Sequence, residues 1–415
     1  MKIGVISTMN GLPWGGSEEL WASMVEEALK ERFEVAVSIC HEAAIPSKFP
    51  SLQHNGVPVF RRRPLLWRRV ENVFSKIASP FREIFSWNPD VICISQGWTY
   101  ESLYFNALLD ALYDAAIPYV VLCQFSSDDA GHIQIRDAAK EFFDRAFRVV
   151  FVSRKNLKSV ERQLAHTLTN GIVLQNPVNL SDLSAVPYSS SVPLSMANVA
   201  RLRAAYKGQD ILLEVLGSPL WRGRDWRLRF YGEGQDRKYL EALAQHYAIA
   251  DRVEFCGYVN DIRSIWQVNH LLALPSRGEG TPLALVEGML CGRPAVVTDV
   301  GGNAEWIDDE QTGFVAEAPT AKSFGAALER AWLVQADWQQ MGIQGRQKAL
   351  IKFDKSAGKS LLKILLDAIH SSQPNLLTNP DSLIDGITRR GRAEAWNDES
   401  RLIGLIRNAQ LTVLR

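Results

Sequence analysis

Short apolar runs alternate with helical segments along most of the chain, and this alternation constrains the fold more than any other feature. Strands are predicted at residues 3–7, 34–40, 57–60, 91–95, 119–123 and 149–153, and again at 196–201, 227–230, 253–256, 270–274 and 295–298. Strands that alternate with helices form parallel, doubly wound sheets. Such sheets bind ligands at the carboxyl ends of their strands. The sequence therefore predicts an α/β protein with its functional site at those ends.

The length of the chain predicts two such domains. Its 415 residues exceed what one ordinary core accommodates, and residues 187–193 have the composition of a linker. We place a first domain at 1–185, a second at 194–352 and a helix at about 353–370. The tail, 371–415, ends in apolar residues at partly helical spacing, which suit a partner, this protein itself or a membrane equally well.

Charge and cysteine content indicate the environment of the protein. The 46 basic and 46 acidic residues cancel, so no overall field favours nucleic acid as a partner. The five cysteines form no C-x-x-C pair, which favours reduced, buried thiols in a cytosolic compartment. No run of about 18 apolar residues occurs, and residues 2–6 are predicted to be a strand rather than a signal peptide. We therefore expect a cytoplasmic protein.

Residues 271–307 contain the most informative chemistry. A buried strand is followed by a loop with Glu279, and then by a helix with Thr281 as its predicted N-cap and Pro282 at its first position. Glu287 lies inside this helix. The free N–H groups at a helix start suit a phosphate, and Glu287 can then hold a ribose diol. The alternative is that Glu287 is a solvated helix residue and Glu279 a loop charge.

The residues of this stretch are similar, in order, to the E-x7-E signature of glycosyltransferase family 4. The matching residues are Glu279-Gly280-Thr281-Pro282, Glu287-Gly288, Gly292-Arg293-Pro294 and Gly301-Gly302. The resemblance covers about residues 1–370. It implies the GT-B fold, in which two Rossmann-like domains face a cleft and the C-terminal helix returns to the first domain. It also implies an enzyme that transfers a sugar from a nucleotide-sugar donor with retention of anomeric configuration.

The resemblance also implies roles for individual residues. Glu287 would bind the donor ribose and Glu279 would lie beside the transferred sugar, while the helix start would contribute Gly280, Thr281 and Leu283 to the donor site.

Three further stretches resemble donor-binding parts of the same family. Arg201 and Lys207 match an R-x5-K-G signature whose basic side chains bind the donor diphosphate, which suits a guanidinium fork and an ammonium group. Gly15 and Gly16 match a G-G-x-E turn that faces the donor across the cleft, and a backbone contact near Val259 is implied for the nucleobase. The alternatives are that the basic pair are surface charges and that the glycine loop is a plain βα turn.

Gln124 departs from the family pattern. Family members often have a histidine after the strand predicted at 119–123, where it contacts the donor sugar, and this chain has Gln124 there. Glutamine forms hydrogen bonds but cannot titrate, so either the sugar contact differs or His132 substitutes. We assign Gln124 and Glu279 to the catalytic centre. The alternatives are an inactive sugar-nucleotide-binding scaffold, which Gln124 favours, and a nucleotide-sugar 2-epimerase on the same fold.

A cluster of arginines in the first domain predicts a surface contact. The cluster packs five arginines and a tryptophan into nine residues, namely Arg61, Arg62, Arg63, Trp67, Arg68 and Arg69. Basic residues interleaved with apolar ones suit an anionic membrane surface, and the first domain is the acceptor side of the GT-B fold. We expect a sugar or lipid-linked acceptor, polysaccharide or glycolipid biosynthesis, and peripheral association with the cytoplasmic membrane face. The alternative is a solvated helix face or a site for a soluble anionic acceptor.

No metal or other cofactor is expected. The family usually acts without a bound metal, and Arg201, Lys207 and the helix N-terminus can supply the electrostatic stabilisation that a metal would give. A clear D-x-D metal motif is also lacking in the sequence.

Overall fold

Two all-parallel β-sheets organise the chain, one built from its first half and one from its second. The computed structural model describes residues 1–9, 14–47, 49–62, 79–126, 134–190 and 192–372. Within them, the first sheet has seven strands in the order β3-β2-β1-β4-β5-β6-β7, and the second has six in the order β10-β9-β8-β11-β12-β13. The predicted fold, with two Rossmann-like doubly wound domains, is confirmed.

The strands of the first sheet are β1 (Lys2–Ser7), β2 (Glu34–Cys40), β3 (Val59–Arg62), β4 (Val91–Gln96), β5 (Tyr119–Cys123), β6 (Arg148–Phe151) and β7 (Gly171–Val173). Those of the second sheet are β8 (Leu194–Val199), β9 (Trp226–Tyr231), β10 (Val253–Gly257), β11 (Leu271–Leu274), β12 (Ala295–Thr298) and β13 (Gly313–Ala316). The strands β7 and β13, each at an edge of its sheet, were not predicted.

The helices of the described residues in the first half are α1 (Gly16–Lys30), α2 (Pro50–His54), α3 (Arg82–Ser86), α4 (Asn106–Ala115), α5 (Arg136–Arg145) and α6 (Arg154–Leu164). Those in the second half are α7 (Ala204–Lys207), α8 (Gln209–Leu216), α9 (Pro219–Arg222), α10 (Arg237–His246), α11 (Ile262–Val268), α12 (Leu283–Leu290), α13 (Asn303–Trp306), α14 (Ala321–Leu333), α15 (Trp338–Lys352) and α16 (Ala357–Ser372). Short 3₁₀ helices occupy Glu101–Tyr104, Ala250–Arg252 and Gln335–Asp337.

Each sheet is buried on both faces. In β1, Ile3 and Val5 face a core cluster shared with α1 and α16, whereas Ile6 faces a second cluster on the other side. Successive side chains of a strand point to opposite faces, so both clusters draw on the same strands. The second sheet has the same arrangement, with Met196 and Ala197 of β8 in different clusters. Because helices cover both faces, a ligand must approach at the strand ends.

The last described helix, α16, returns to the first domain and packs against α1, as the GT-B resemblance implies. Leu361 and Leu365 join the core of the first sheet. The helices approach so closely that a Cβ atom on Gly358 would lie 2.6 Å from the backbone carbonyl carbon of Ser23. Glycine is therefore required where the two helices cross. The helix begins at Ala357 rather than at the predicted residue 353.

Candidate active site

The predicted donor-binding residues of the second domain lie at the carboxyl ends of β8 and β11. Strand β8 has β9 on one side and β11 on the other, so the chain leaves it and its neighbour β11 toward opposite halves of the sheet. Such a switch point opens a crevice between the loops that follow the two strands. The loop after β8 carries Arg201 and leads to Lys207, and the loop after β11 carries Glu279.

Lys207 and Glu279 form an ion pair in this crevice. The Nζ atom of Lys207 lies 2.7 Å from Oε1 of Glu279, and the hydroxyl of Ser276 donates to the same oxygen at 2.7 Å. Glu279 is buried. Gly208, with φ of +64°, allows the close approach, because a Cβ atom there would lie 2.0 Å from the carbonyl oxygen of Pro275. The two loops therefore meet through a charged contact between Lys207, which is predicted to bind the donor, and Glu279, which is predicted to lie beside the transferred sugar.

Arg201 lies beside the glycine turn of the first domain. Its Nη2 donates to the carbonyl oxygen of Trp14 at 3.2 Å, and a Cβ atom on Gly15 would lie 3.6 Å from the same nitrogen. A Cβ atom on Gly16 would lie 3.4 Å from the side chain of Leu283. Burial lowers the pKa of the Arg201 guanidinium from its ordinary value. The structure thus brings Gly15 and Gly16 together with Arg201 and Leu283, which are predicted donor-site residues of the other domain.

The loop that carries Glu279 also contacts strand ends of the first domain. Ser126 and Glu279 form an isolated antiparallel bridge. A Cβ atom on Gly280 would lie only 2.1 Å from the carbonyl oxygen of Gln124. The hydroxyl of Thr281 donates to the carbonyl oxygen of Val152 at 2.7 Å. Glycine at position 280 is therefore required by packing between the domains.

The predicted N-cap role of Thr281 is wrong. Helix α12 begins at Leu283, its N-cap residue is Pro282, and no side chain caps it. The Thr281 hydroxyl instead bonds to Val152 across the domain boundary. Within the described part of the chain, no N-cap side chain accepts from the first N–H groups of α12, which leaves them to other partners.

Glu287 lies in the second turn of α12 and is buried. Its Oε1 accepts a hydrogen bond from the backbone N–H of Asn179 at 3.0 Å. Asn179 belongs to the segment that connects the two sheets. Glu287 is therefore not the solvated helix residue of the alternative interpretation, and its role toward a ribose stays a prediction.

Gln124 lies directly after β5, at the contact with Gly280, and is buried. Its Oε1 accepts a hydrogen bond from Nδ2 of Asn176 at 2.8 Å. Its Nε2 is buried and has no hydrogen-bond partner within the described part of the chain. A buried amide donor without a partner is costly, so this N–H group is suited to a ligand. His132, the proposed substitute, lies outside the described residues.

Val259 follows β10 at the same edge of the second sheet, and its half-buried side chain packs against the core. Its predicted backbone contact with a nucleobase stays a prediction.

The second half of the chain resembles known glycosyltransferases. Residues 193–333 match the family model described as Glycosyl transferases group 1. Over 114 residues the chain is 32% identical to an uncharacterised glycosyltransferase of Haemophilus influenzae, covering 27% of this chain and 32% of that protein. Over 204 residues it is 28% identical to alpha-D-kanosaminyltransferase of Streptomyces kanamyceticus, covering 49% of each. The chain therefore spans between about a third and a half of the length of these curated relatives.

Solved structures extend the likeness to both domains. The Anabaena protein HepE, in complex with UDP-glucose, gives a TM-score of 0.68 at 19% identity and covers 89% of this chain and 100% of that one. Sucrose-phosphate synthase of Thermosynechococcus elongatus gives a TM-score of 0.68 at 16% identity, with the same coverage. The chain has the GT-B fold.

This GT-B protein carries Arg201, Lys207, Glu279 and Glu287 inside the matched range 193–333. The matched family range therefore includes these four predicted site residues, but neither the glycine turn of the first domain nor Gln124.

The first domain of the GT-B fold contains a buried polar network that the sequence analysis did not predict. Glu18, in the first turn of α1, accepts hydrogen bonds from Trp21 Nε1 at 2.5 Å and from the Ser7 hydroxyl at 3.2 Å. Arg62 donates to the Ser38 hydroxyl at 2.8 Å and to the carbonyl oxygen of Ser7. Burial raises the pKa of Glu18 to about 7 and lowers the pKa of Arg62 to about 10. The network therefore holds two ionisable groups away from water at the end of β1.

The prediction that Arg62 contacts a membrane or an acceptor is wrong, because its guanidinium is buried in this network and lies over the Phe81 ring. If the predicted strand 57–60 had extended to Arg62, the alternation of buried and exposed side chains along β3 would have indicated that Arg62 is buried. Arg61 is exposed and donates to the carbonyl oxygens of His41 and Ala43 at 3.1 and 2.6 Å. The remaining predicted members, Arg63, Trp67, Arg68 and Arg69, lie outside the described residues.

The raised pKa of Glu18 predicts a pH-dependent stability. Between its ordinary value of 4.5 and about 7 the folded protein binds the Glu18 proton more tightly than the unfolded chain does. The contribution of Glu18 to the free energy of unfolding must therefore fall as pH rises through this window. We expect Glu18→Gln to gain stability relative to wild type by on the order of 3 kcal/mol between about pH 5 and about pH 8. Urea unfolding of both proteins at several pH values measures this difference.

A matched control for this experiment is Glu27→Gln, on the same helix, where the carboxylate pairs with Lys30 at the surface. The difference in the free energy of unfolding between Glu27→Gln and wild type should vary little over the same pH range. If the free energy of unfolding of Glu18→Gln changed with pH in parallel with that of wild type, the assignment of the raised pKa to this side chain would be contradicted.

Proposed function

We propose that the protein is a retaining, metal-independent glycosyltransferase of the family 4 type, which transfers a sugar from a nucleotide-sugar donor to an acceptor. The observation that carries the proposal is the ion pair of Lys207 with the buried Glu279, at the switch point of a GT-B second domain and against the first domain. In the same crevice lie the Arg201 guanidinium and the uncapped start of α12. Two cations and free backbone N–H groups suit a diphosphate.

Arg201 and Lys207 would bind the donor diphosphate. As the bond between the sugar and the phosphate breaks, negative charge grows on the departing diphosphate, and preorganised cations stabilise that charge. The N–H groups of Gly280, Thr281 and Leu283 would add hydrogen bonds at the helix start. Glu287 would accept from the ribose hydroxyls, and backbone near Val259 would contact the base. Such stabilisation needs no metal, and EDTA should therefore leave turnover unchanged.

Donor binding requires Lys207 to exchange partners. In the structure its ammonium group lies 2.7 Å from Glu279, and a diphosphate would compete for it. Glu279 would then be released to face the sugar, where a carboxylate stabilises positive charge that develops at the anomeric carbon. The Nε2 donor of Gln124, buried and without a protein partner in the described residues, would bind a sugar hydroxyl. This arrangement favours a transferase in which Gln124 replaces the family histidine as a donor group.

The proposal is tested by incubating the protein with a panel of nucleotide sugars, beginning with UDP-glucose, which HepE of Anabaena binds in its solved structure. Release of nucleoside diphosphate supports the transferase. An epimerised sugar would identify a 2-epimerase instead, and binding without turnover would identify a scaffold. NMR coupling constants of the product report the anomer, and inversion would contradict the retaining mechanism.

We further propose that the acceptor is presented at an anionic membrane surface, in polysaccharide or glycolipid biosynthesis. The names of two relatives agree with these processes: a putative colanic acid biosynthesis glycosyltransferase, and a subunit of a phosphatidylinositol N-acetylglucosaminyltransferase. Among the described residues, no helix is both long and apolar enough to cross a bilayer. We expect this binding to depend on the arginines that neighbour Arg62 in the sequence, namely Arg61, Arg63, Arg68 and Arg69.

Liposome sedimentation tests this surface contact. We expect binding that requires anionic lipid and falls as salt rises, because each basic residue near the surface contributes about 1 kcal/mol. Changing Arg61, Arg63, Arg68 and Arg69 to serine should abolish binding, whereas Arg62 is kept because its guanidinium is buried and hydrogen-bonded. Binding that survives these changes would show that the contact lies elsewhere.

A further inference from the structure

Two aromatic rings are exposed on the turn that follows β4. The side chain of Trp98 is 36% exposed and that of Tyr104 is 47% exposed. The two rings are stacked, with centroids 6.0 Å apart and an angle of 27° between their planes. Tyr100, which is buried, packs edge-on against Trp98 at 5.6 Å. Together Trp98 and Tyr104 form an aromatic platform.

The buried Gln96 and the half-buried Glu101 hold the platform in place. The amide of Gln96 donates to the carbonyl oxygen of Thr99 at 2.6 Å and accepts from the backbone N–H of Ser102 at 2.9 Å. The carboxylate of Glu101 accepts from the N–H of Gly97 at 3.0 Å and from the hydroxyl of Thr8 at 2.8 Å. A turn fixed by so many hydrogen bonds presents its exposed rings in one orientation. Exposed apolar surface that is held rigidly is a feature of binding sites.

The platform adjoins the donor site on two sides. On one side, a Cβ atom on Gly97 would lie 3.4 Å from the Cα of Met9. The sulfur of Met9 lies 3.6 Å from the Cβ position of Gly15, which is beside Arg201. On the other side, the hydroxyl of Thr99 donates to the carbonyl oxygen of Phe125, next to Ser126.

The second of these connections leads to the predicted catalytic glutamate, because Ser126 forms the bridge with Glu279. The platform therefore lies at the carboxyl end of β4, between the residues that contact Arg201 and those that contact Glu279.

We propose that Trp98 and Tyr104, with the carboxylate of Glu101, form the acceptor subsite, and that its occupant is a pyranose ring. This inference rests on the proposed function, and it names the chemical class of the acceptor group that meets the donor sugar. The C–H groups on one face of a pyranose pack on the electron-rich face of an aromatic ring. The hydroxyl groups around its edge donate to a carboxylate.

Glu101 distinguishes a sugar from an acyl chain as the occupant. It lies in the same turn as the platform, and its carboxylate accepts a hydrogen bond from the backbone N–H of Gly97. A hydrocarbon chain covering this turn would remove the carboxylate from water without replacing its hydrogen bonds, which is unfavourable. A sugar replaces them. A lipid-linked acceptor would therefore place its sugar, and not its tail, on the platform.

Saturation-transfer NMR on the full chain tests the subsite with methyl glycopyranosides of glucose, galactose, mannose and N-acetylglucosamine. We expect at least one to receive saturation, most strongly at the C–H groups of one ring face. Trp98→Ala should weaken that binding about tenfold. Trp98→Phe keeps an aromatic face and should restore most of it, whereas Trp98→Leu should not. Tyr239→Ala, which removes an exposed aromatic ring from α10 of the second domain, is the matched control and should bind as wild type does.

Unchanged glycoside binding by Trp98→Ala, or binding of none of these glycosides by wild type, would overturn the proposal. Saturation confined to the alkyl protons of n-octyl glucoside would also overturn it, in favour of a lipid tail. Calorimetry with UDP and the release of nucleoside diphosphate from the donor panel test the proposed function separately. If wild type bound a glycoside but no nucleotide, the proposed transferase function would be refuted, whereas sugar binding at the platform would not.

Discussion

Replacing Glu279 by glutamine is expected to lower sugar transfer about a hundredfold or more, the effect typical of removing one preorganised electrostatic group from a transition state. Donor affinity should stay unchanged or become tighter. Glutamine can still accept the hydrogen bond from Ser276, but it cannot hold Lys207 as an ion pair. The diphosphate would then no longer compete with a carboxylate for the ammonium group.

Steady-state kinetics with the best donor of the panel, combined with calorimetric titration of that donor, separate the two effects. A fall in kcat at constant donor affinity indicates an interaction made only in the transition state. The control is Glu254→Gln on β10, where the carboxylate is exposed, and this variant should turn over as wild type does. If Glu279→Gln were fully active, Glu279 would be a structural loop residue.

Lys207→Ala and Glu287→Ala are expected to weaken donor binding in different ways. Loss of the Lys207 charge should weaken the nucleoside diphosphate and the intact donor equally, by about 1.5 to 3 kcal/mol for a charged hydrogen bond. The free nucleoside, which has no phosphate, should bind Lys207→Ala unchanged. Loss of the Glu287 carboxylate should weaken all three ligands, because it removes the predicted contact with the ribose.

Isothermal titration with nucleoside, nucleoside diphosphate and donor measures these patterns. Glu287 also accepts from the Asn179 N–H, so Glu287→Gln, which keeps one acceptor oxygen, separates loss of that contact from loss of the ribose contact. Lys238→Ala removes an exposed lysine of α10 and serves as the charge control. Unchanged affinities in both Lys207→Ala and Glu287→Ala would refute the donor site at this switch point.

Local pattern predicts the parts of this fold that have strong periodicity. Strands β2, β5 and β12 begin and end where predicted, because each is a mainly apolar run bounded by turn residues or charges. Strands β7 and β13 have three and four residues at sheet edges. Their pairing with β6 and β12 stabilises them, and that contact has no local signature.

The candidate site shows the same division between local and long-range information. Glu279 and Lys207 were both predicted to meet a donor, but the ion pair joins residues 72 positions apart and depends on how two loops pack. Arg62 looked like one member of a surface cluster. Its burial depends on Ser38 of a neighbouring strand and Ser7 of the strand beyond. Thr281 failed as an N-cap for a similar reason, since its acceptor, Val152, belongs to the other domain.

The contact of Gly280 with the Gln124 carbonyl has a consequence for domain exchange. In a domain exchange, the second domain of one GT-B protein is joined to the first domain of another. Here, however, the loop that holds Glu279 also packs against the first domain, through Gly280 and Thr281. Because these contacts are made to backbone atoms, a chimera must keep the backbone of residues 124–126 and 152 in place against residues 279–281. Grafting a donor half alone would misplace the Glu279 carboxylate, on which the proposed chemistry depends.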